Sequence, residues 1–280
     1  MSTDTLVSII IPTFNAASFL EACLLSIRKQ THRNIEVVVV DQESTDATKS
    51  IATSFGTTFI TLRKPDFYSP PTRSRNAGAR ESTGAILYHL DSDMELSPAL
   101  VEEIVRVFTD DERVGALVVH EEDRTKGFWS KAKAFERRCY WGNDNIESAR
   151  AVRRSVFEQV GGYDESINSG EDFDIHRRYK DVTRVGFCTN VVYHNLGTLN
   201  LRRALGKKYS YGKTARVYFR KHSVSGGSIL KEQLTCYLTN YPSFCRHPIV
   251  GLASVFLKFV EFASGGIGLV VSRMKGLSGP

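Results

Sequence analysis

Short runs of β-branched and apolar residues alternate, over the first 120 positions, with stretches whose apolar residues recur every three or four places. Val7-Ser8-Ile9-Ile10-Ile11-Pro12 reads as a strand closed by proline, and residues 18–30 put Phe19, Cys23, Leu24 and Ile27 on one helical face. The run from Ile35 to Val40 is apolar enough to be covered on both faces, as a parallel strand is, and it ends on Asp41. Ser44-Thr45-Asp46 supplies a helix start. Residues 57–62 predict a third strand, 75–82 a helix, 86–90 a strand running into Asp91, 97–108 a helix and 114–120 another strand. This alternation predicts an α/β fold with a mostly parallel central sheet and helices on both faces. Ligands of such sheets bind beyond the carboxyl ends of the strands, where Asp41 and Asp91 both fall.

Asp91-Ser92-Asp93 closes the apolar run Ile86-Leu87-Tyr88-His89-Leu90. Residues two apart on an extended chain face the same way, so the two carboxylates converge unless something positive separates them. The usual guest is Mg²⁺ or Mn²⁺, which in turn holds the phosphates of a substrate. An Asp-rich turn after a buried strand is the plain alternative. The first strand-to-helix turn, Pro12-Thr13-Phe14-Asn15-Ala16, has no glycine, which excludes a dinucleotide fingerprint, and no P-loop sequence occurs. Phosphates in this crevice are therefore expected to be held through a metal and not by a glycine cradle.

Composition changes the picture in two respects. The five cysteines are scattered and odd in number with no C-x-x-C pair, which argues against disulfides or a zinc site and for a reducing compartment. The first six residues lack a basic segment of the kind that opens a secretory signal. The net charge of +6 conceals a segregation. Residues 1–181 carry 23 Lys/Arg against 29 Asp/Glu, whereas residues 182–280 carry 14 against two, Glu232 and Glu261. The chemistry, and with it the expected partner, changes near 182–195.

In order along the chain stand Ile9-Ile10-Ile11-Pro12-Thr13-Phe14-Asn15, Val39-Val40-Asp41-Gln42-Glu43-Ser44-Thr45-Asp46, Arg75-Asn76-Ala77-Gly78, Asp91-Ser92-Asp93, Gly161-Gly162-Tyr163-Asp164, and Gly170-Glu171-Asp172-Phe173-Asp174 with Arg178. Over residues 6–195 this series resembles the landmarks of family 2 glycosyltransferases of the GT-A fold. The resemblance implies an inverting transfer from a nucleotide-sugar. Pro12, Thr13, Asn15 and Asp41 would line the nucleoside pocket. Gln42 stands where relatives often have a second Asp that touches the base; UDP is the first expectation, with GDP or dTDP open. Arg75, with Ser92 and Arg178 further out, would approach the donor. Asp93 is the first-choice ligand for Mn²⁺ or Mg²⁺, with Asp91 on the ribose or the metal's water shell. His194, at the end of Val191-Val192-Tyr193-His194, would complete the metal site. Asp172 would be the general base, and Glu171 would orient the sugar. By the same resemblance residues 1–95 bind the nucleotide-sugar and 96–195 form the acceptor side. The aromatic residues of 121–150 (Phe128, Trp129, Phe135, Tyr140, Trp141) divide between an acceptor wall and core packing.

Residues 196–280 read as a basic and apolar helical extension. From Arg202 to Lys221 there are eight cations and no acid, with Leu199, Leu201, Leu205, Tyr209 and Tyr211 among them. That pattern predicts one or two amphipathic helices on an anionic membrane surface, in preference to nucleic acid or a solvated face. Residues 249–271 are mostly apolar but carry Lys258 and Glu261 and a Ser264-Gly265-Gly266 interruption. They predict an interfacial or re-entrant hairpin in place of a span, with protein packing or a homodimer contact as alternatives. The expected protein is thus a metal-dependent transferase on the cytoplasmic face of a membrane, bound through 199–271, whose acceptor is a lipid-linked saccharide, a polyprenyl phosphate or a polysaccharide. The alternatives are a soluble transferase acting on a protein or small molecule, and an inactive sugar-binding scaffold of the same fold.

Overall fold

The computed structural model describes residues 4–63 and 71–274. They pack as two units, one built from residues up to 122, 148–164 and 175–195, the other from 123–147, 165–174 and 196 onward. The first unit begins with β1 (Val7–Thr13), α1 (Ala17–Arg28), β2 (Ile35–Asp41), α2 (Thr48–Ser54), β3 (Thr58–Thr61), α3 (Thr72–Glu81), β4 (Ile86–His89), β5 (Met94–Leu96), α4 (Leu100–Asp110) and β6 (Val114–Val118). The strand β7 (Glu121–Lys126) leads into α5 (Phe128–Arg138) of the second unit. The chain returns as β8 (Ala149–Arg153) and α6 (Arg154–Gln159), and later as the end of α7 (Glu171–Val182), β9 (Arg184–Phe187) and the start of β10 (Val192–Thr198).

The central sheet has the order β3-β2-β1-β4-β8-β6-β9. β1 runs parallel to β2 on one side and to β4 on the other, so the chain order reverses at β1 and opens a crevice beyond its carboxyl end. The expected parallel core is therefore present, but β8 runs antiparallel to both β4 and β6. A parallel neighbour needs a crossover connection; β8 instead re-enters from the excursion through α5. Burial follows the apolar runs: Ile9, Ile11, Val39, Leu20, Ile104 and Phe108 are fully buried in one cluster. Each such side chain contributes about 1.5–3 kcal/mol relative to exposure. Gly78 is required where α3 meets the sheet, because a Cβ there would overlap the Ile10 side chain.

Local boundaries differ from the sequence expectation in instructive ways. The helix expected at Ser44–Asp46 starts at Thr48, and Asp46 acts from outside it by accepting the Thr48 N–H at 3.0 Å. The strand into Asp91 ends at His89, and Met94 donates its N–H to the Asp91 carbonyl at 3.1 Å to close a tight turn. The short β5 after that turn had too few residues to show a period. The buried Glu103 on α4 accepts from Thr189 and Asn190, backbone and side chain alike, and so fixes the loop before β10.

The second unit is helical: α5, α8 (Leu201–Thr214), α9 (Arg216–His222), α10 (Gly226–Thr239), α11 (Tyr241–Arg246) and α12 (Pro248–Met274). The sequence expectation puts a single division near residue 195. It does not anticipate that 123–147 and 165–174 pack with the C-terminal helices. Their aromatic residues explain this. Phe135 packs edge-on to Phe244 at 4.9 Å, and Cys139 and Tyr140 are buried with Cys236 and Tyr237. Much of the expected acceptor wall is thus core of this unit.

The expected hairpin within 249–271 is absent. α12 is one unbroken helix of 27 residues through Ser264-Gly265-Gly266. Gly265 and Gly266 do not break the helix, and the glycines that packing requires are Gly212 and Gly268 on either side of the contact. A Cβ on Gly212 of α8 would overlap the Gly265 carbonyl, and one on Gly268 would overlap that of Tyr209, so the two helices approach backbone to backbone. Lys258 and Glu261, too costly for a bilayer centre, face inward. Lys258 pairs with Glu136 of α5, and Glu261 accepts from Lys133 at 2.9 Å, with Lys208 3.8 Å away. Burial alone would raise the Glu136 carboxyl, but Lys133 and Lys258 outweigh it and lower it to about 2.

Candidate active site

The ends of β1 and β2 lie side by side, with Thr13 opposite Asp41. Thr13 Oγ1 donates to Asp41 Oδ1 at 3.0 Å, and the Ser44 backbone N–H donates to Oδ2 at 2.8 Å. The Asn15 backbone N–H in turn donates to Ser44 Oγ at 2.8 Å, while Asn15 Oδ1 accepts from the Thr45 N–H at 2.9 Å. Two non-glycine residues with positive φ, Asn15 (50°) and Glu43 (56°), shape this pair of turns. Left-handed backbone in such residues is uncommon and clusters at ligand sites. The ends of β1 and β2 thereby bring Pro12, Thr13, Asn15 and Asp41 together. Gln42 donates from Nε2 to Ser74 Oγ at 3.1 Å, which ties the turn after β2 to α3.

Arg75 is 2 % exposed, far more buried than a surface helix-start arginine would be. Its guanidinium reaches Asp91 Oδ1 at 2.9 Å and lies 5.2 Å from the Tyr163 ring centre. Beside it, Asn76 exchanges two hydrogen bonds of 2.9 Å with the Tyr163 backbone, so the Arg-Asn and Gly-Gly-Tyr landmarks hold each other. Arg178 donates to the carbonyls of Val160 and Gly162 at 2.8 and 2.6 Å and braces the same turn. These contacts give Arg178 a structural task, in addition to which any donor contact would have to be made.

Sequence reasoning missed Arg150. Its guanidinium lies 2.7 Å from Asp91 Oδ2 and 3.0 Å from Glu121 Oε1. The available signal was one charged side chain between Ala149 and Ala151 of a buried strand. Burial would raise the Asp91 carboxyl, but Arg150 and Arg75 together outweigh it and hold it well below its ordinary value of 3.8. Both Asp91 oxygens therefore already carry an arginine.

Asp93 differs. Its side chain is 40 % exposed, and His194 Nε2 lies 3.4 Å from its Oδ2. Antiparallel pairing of β10 with β5 explains this meeting of distant residues, since His194 stands opposite Met94, next to Asp93. Asn195 extends the contact by donating its backbone N–H to the Asp93 carbonyl at 3.0 Å. Among the described residues no three His, Cys, Asp or Glu side chains converge as a ready-made metal site. The expected trio of Asp91, Asp93 and His194 is thus present as a pair, with Asp91 committed to the arginines and Ser92 in the turn between them. One exposed carboxylate and one half-buried imidazole fit an ion that takes its other ligands from phosphate and water. Glu171 and Asp172 lie in the first turn of α7.

The model for glycosyl transferase family 2 matches residues 8–161 of this chain. An O-antigen chain rhamnosyltransferase WbaN from Salmonella anatum is 24% identical over 92% of this chain and 88% of its own length. A PGL/p-HBAD biosynthesis glycosyltransferase of Mycobacterium tuberculosis is 33% identical over 69% of the chain and 78% of its own length. The chain spans only 38% of the length of another relative, an uncharacterised glycosyltransferase of Nostoc that is 33% identical over 43% of this chain. Among solved structures, a Pyrobaculum calidifontis mannosyltransferase in complex with GDP-mannose and Mn²⁺ superposes with a TM-score of 0.60 at 20% identity, covering 98% of this chain and 80% of that one. TarS 1–349 of S. aureus in complex with UDP gives 0.55 at 15% identity over 96% and 92%. Strand order, the paired turns at Asp41 and the family match over more than half of the chain agree: it belongs to glycosyltransferase family 2 and has the GT-A fold.

Proposed function

We propose that this enzyme moves a sugar, with inversion, from a nucleotide-sugar to a hydroxyl of a lipid-linked saccharide, a polyprenyl phosphate or a surface polysaccharide. The observation that carries the reading is the Asp93–His194 pair, with its Asp93 carboxylate exposed, beside an arginine-held Asp91. Thr13, Asn15 and Asp41 would hold the nucleoside, and Arg75 the diphosphate. UDP is the preferred carrier: TarS was solved with UDP, and a relative is named as a UDP-Glc:α-D-GlcNAc-diphosphoundecaprenol glucosyltransferase. That second name and the O-antigen relative support the acceptor class.

In the proposed step Asp172 accepts the proton of the acceptor hydroxyl as its oxygen bonds to the anomeric carbon. The bond from that carbon to the diphosphate oxygen breaks, and the electron pair leaves with the nucleotide. A bound Mn²⁺ or Mg²⁺, held by Asp93 and His194, would offset charge on the departing diphosphate. Arg75, kept in place by Asp91, contributes positive charge from the protein side.

Thermal denaturation with nucleoside diphosphates tests this reading. Ligand at about a hundred times its dissociation constant should stabilise by about 2.7 kcal/mol. UDP with Mn²⁺ should therefore raise the melting temperature, EDTA should abolish the rise, and Asp93→Ala should be nearly blind to UDP. An equal shift in EDTA would remove the metal from the proposal.

The same reading puts the enzyme at a membrane surface. α12 is long and apolar enough to cross a bilayer, yet its inward face is taken by α5 and α8. Its outward residues Ile249, Leu252, Phe256, Phe259, Ile267 and Val270 recur every three or four positions, or two such steps. Such a stripe suits a helix lying in the interface, with the exposed cations Arg202, Arg203, Lys207, Lys213 and Arg220 of α8 and α9 facing anionic headgroups. Flotation with anionic liposomes should fall as salt rises, leaving a salt-resistant remainder from the stripe. Failure to float with any liposome would assign the stripe to a protein contact.

A further inference from the structure

Asp174, two residues beyond Asp172, is completely buried, and its Oδ1 lies 2.8 Å from Lys221 Nζ and 2.7 Å from His222 Nε2. Both partners come from the last turn of α9. One turn earlier, Tyr218 is also buried, with its ring 4.9 Å from that of His222. The Tyr218 ring lies against Gly170: a Cβ added there would come within 3.0 Å of it, and the φ of +88° already favours glycine. The Asp174 N–H donates to the Gly170 carbonyl at 2.9 Å, which closes the turn between these two anchors. Gly170-Glu171-Asp172-Phe173-Asp174 is thus gripped at both ends by one short helix, within a single packed unit.

We infer that Tyr218, Lys221 and His222 are positioning residues for Asp172: α9, from the basic C-terminal stretch, sets the backbone that aims the base. The inference rests on the reading of Asp172 as the base. The physical argument is one of stiffness. A turn carrying a base must hold it within hydrogen-bond reach of the acceptor hydroxyl, and small misplacements of reacting groups reduce rate sharply. A ring filling the space over Gly170 and two side chains on a buried carboxylate remove the motions open to a glycine-led turn. The cations of this stretch are therefore of two kinds, those at the surface and those turned inward onto the turn.

A mutant cycle in the full chain tests the inference. Lys221→Met/His222→Gln takes the lysine charge from Asp174 and replaces the imidazole with an amide, and Tyr218→Leu leaves the charges intact but loosens Gly170. Each should lower kcat, the double variant by about tenfold, with UDP affinity within about twofold as the check that the donor side is folded. Added to Asp172→Asn, either change should reduce kcat by less than about twofold further, because residues acting through one group are not additive. Wild-type kcat in both variants, or a loss that multiplies in full onto Asp172→Asn, would overturn the positioning role. If Asp172→Asn alone turned over normally, the base assignment itself would fall, a different result from either.

Discussion

Replacing Asp172 with asparagine should lower turnover by about 10²-fold or more, with nucleotide affinity unchanged to within a few-fold. The amide keeps the volume of the carboxylate and much of its hydrogen bonding, but it cannot take a proton. An inverting transfer has a single displacement step, so no later step can compensate for the missing base. An interaction made only in the transition state lowers kcat and kcat/KM together, and that joint fall is the signature to measure. Glu171 shares the same helical turn and is the control. Normal turnover in Asp172→Asn together with a dead Glu171→Gln would move the base by one residue.

The second large effect is on stability. Glu261 is 3 % exposed and faces Lys133, Lys208 and Lys258. Glu261→Ala would leave three lysines with Glu136 alone. Removing one partner of a buried ion pair costs about 3–5 kcal/mol, mostly because the remaining charge stays buried. Chemical denaturation should show that loss, whereas nucleotide binding by the first unit should persist below the transition. Lys208 is the contrast, since its side chain is 38 % exposed and it is the surplus cation of the group. Lys208→Met should change stability by less than about 1 kcal/mol, as exposed pairs contribute little. An equal loss in the two variants would mean that the network acts through packing and not through charge.

β1, β2 and β4 were legible because each is a short apolar run with a polar residue at its carboxyl end, and β2 matches its sequence reading residue for residue. The paired aspartates were legible for the same reason. Their division of labour was not, because it depends on Arg150, whose strand enters the sheet after a long excursion. The His194–Asp93 approach was foreseen only through family resemblance; spacing alone says nothing about two residues joined by antiparallel pairing. The largest misreading was at Ser264-Gly265-Gly266. Glycine in a helix interior is unfavourable by roughly 1 kcal/mol, so local propensity pointed to a break. The close approach of α12 to α8, which requires glycine at Gly212 and Gly268 and holds the helix straight through the stretch, is invisible in the sequence.

The interleaving of the two units along the chain also sets an order of events during synthesis. Residues 165–174 leave the ribosome well before α9, whose side chains complete their surroundings. Residues 123–147, with Phe135, Cys139 and Tyr140, wait still longer for α10 and α11. On the proposed reading, a nascent chain would assemble the crevice of the first unit while the turn that carries Asp172 is still unsupported. A donor site would then form first and competence for transfer last, at about the moment when the apolar C-terminal helix emerges.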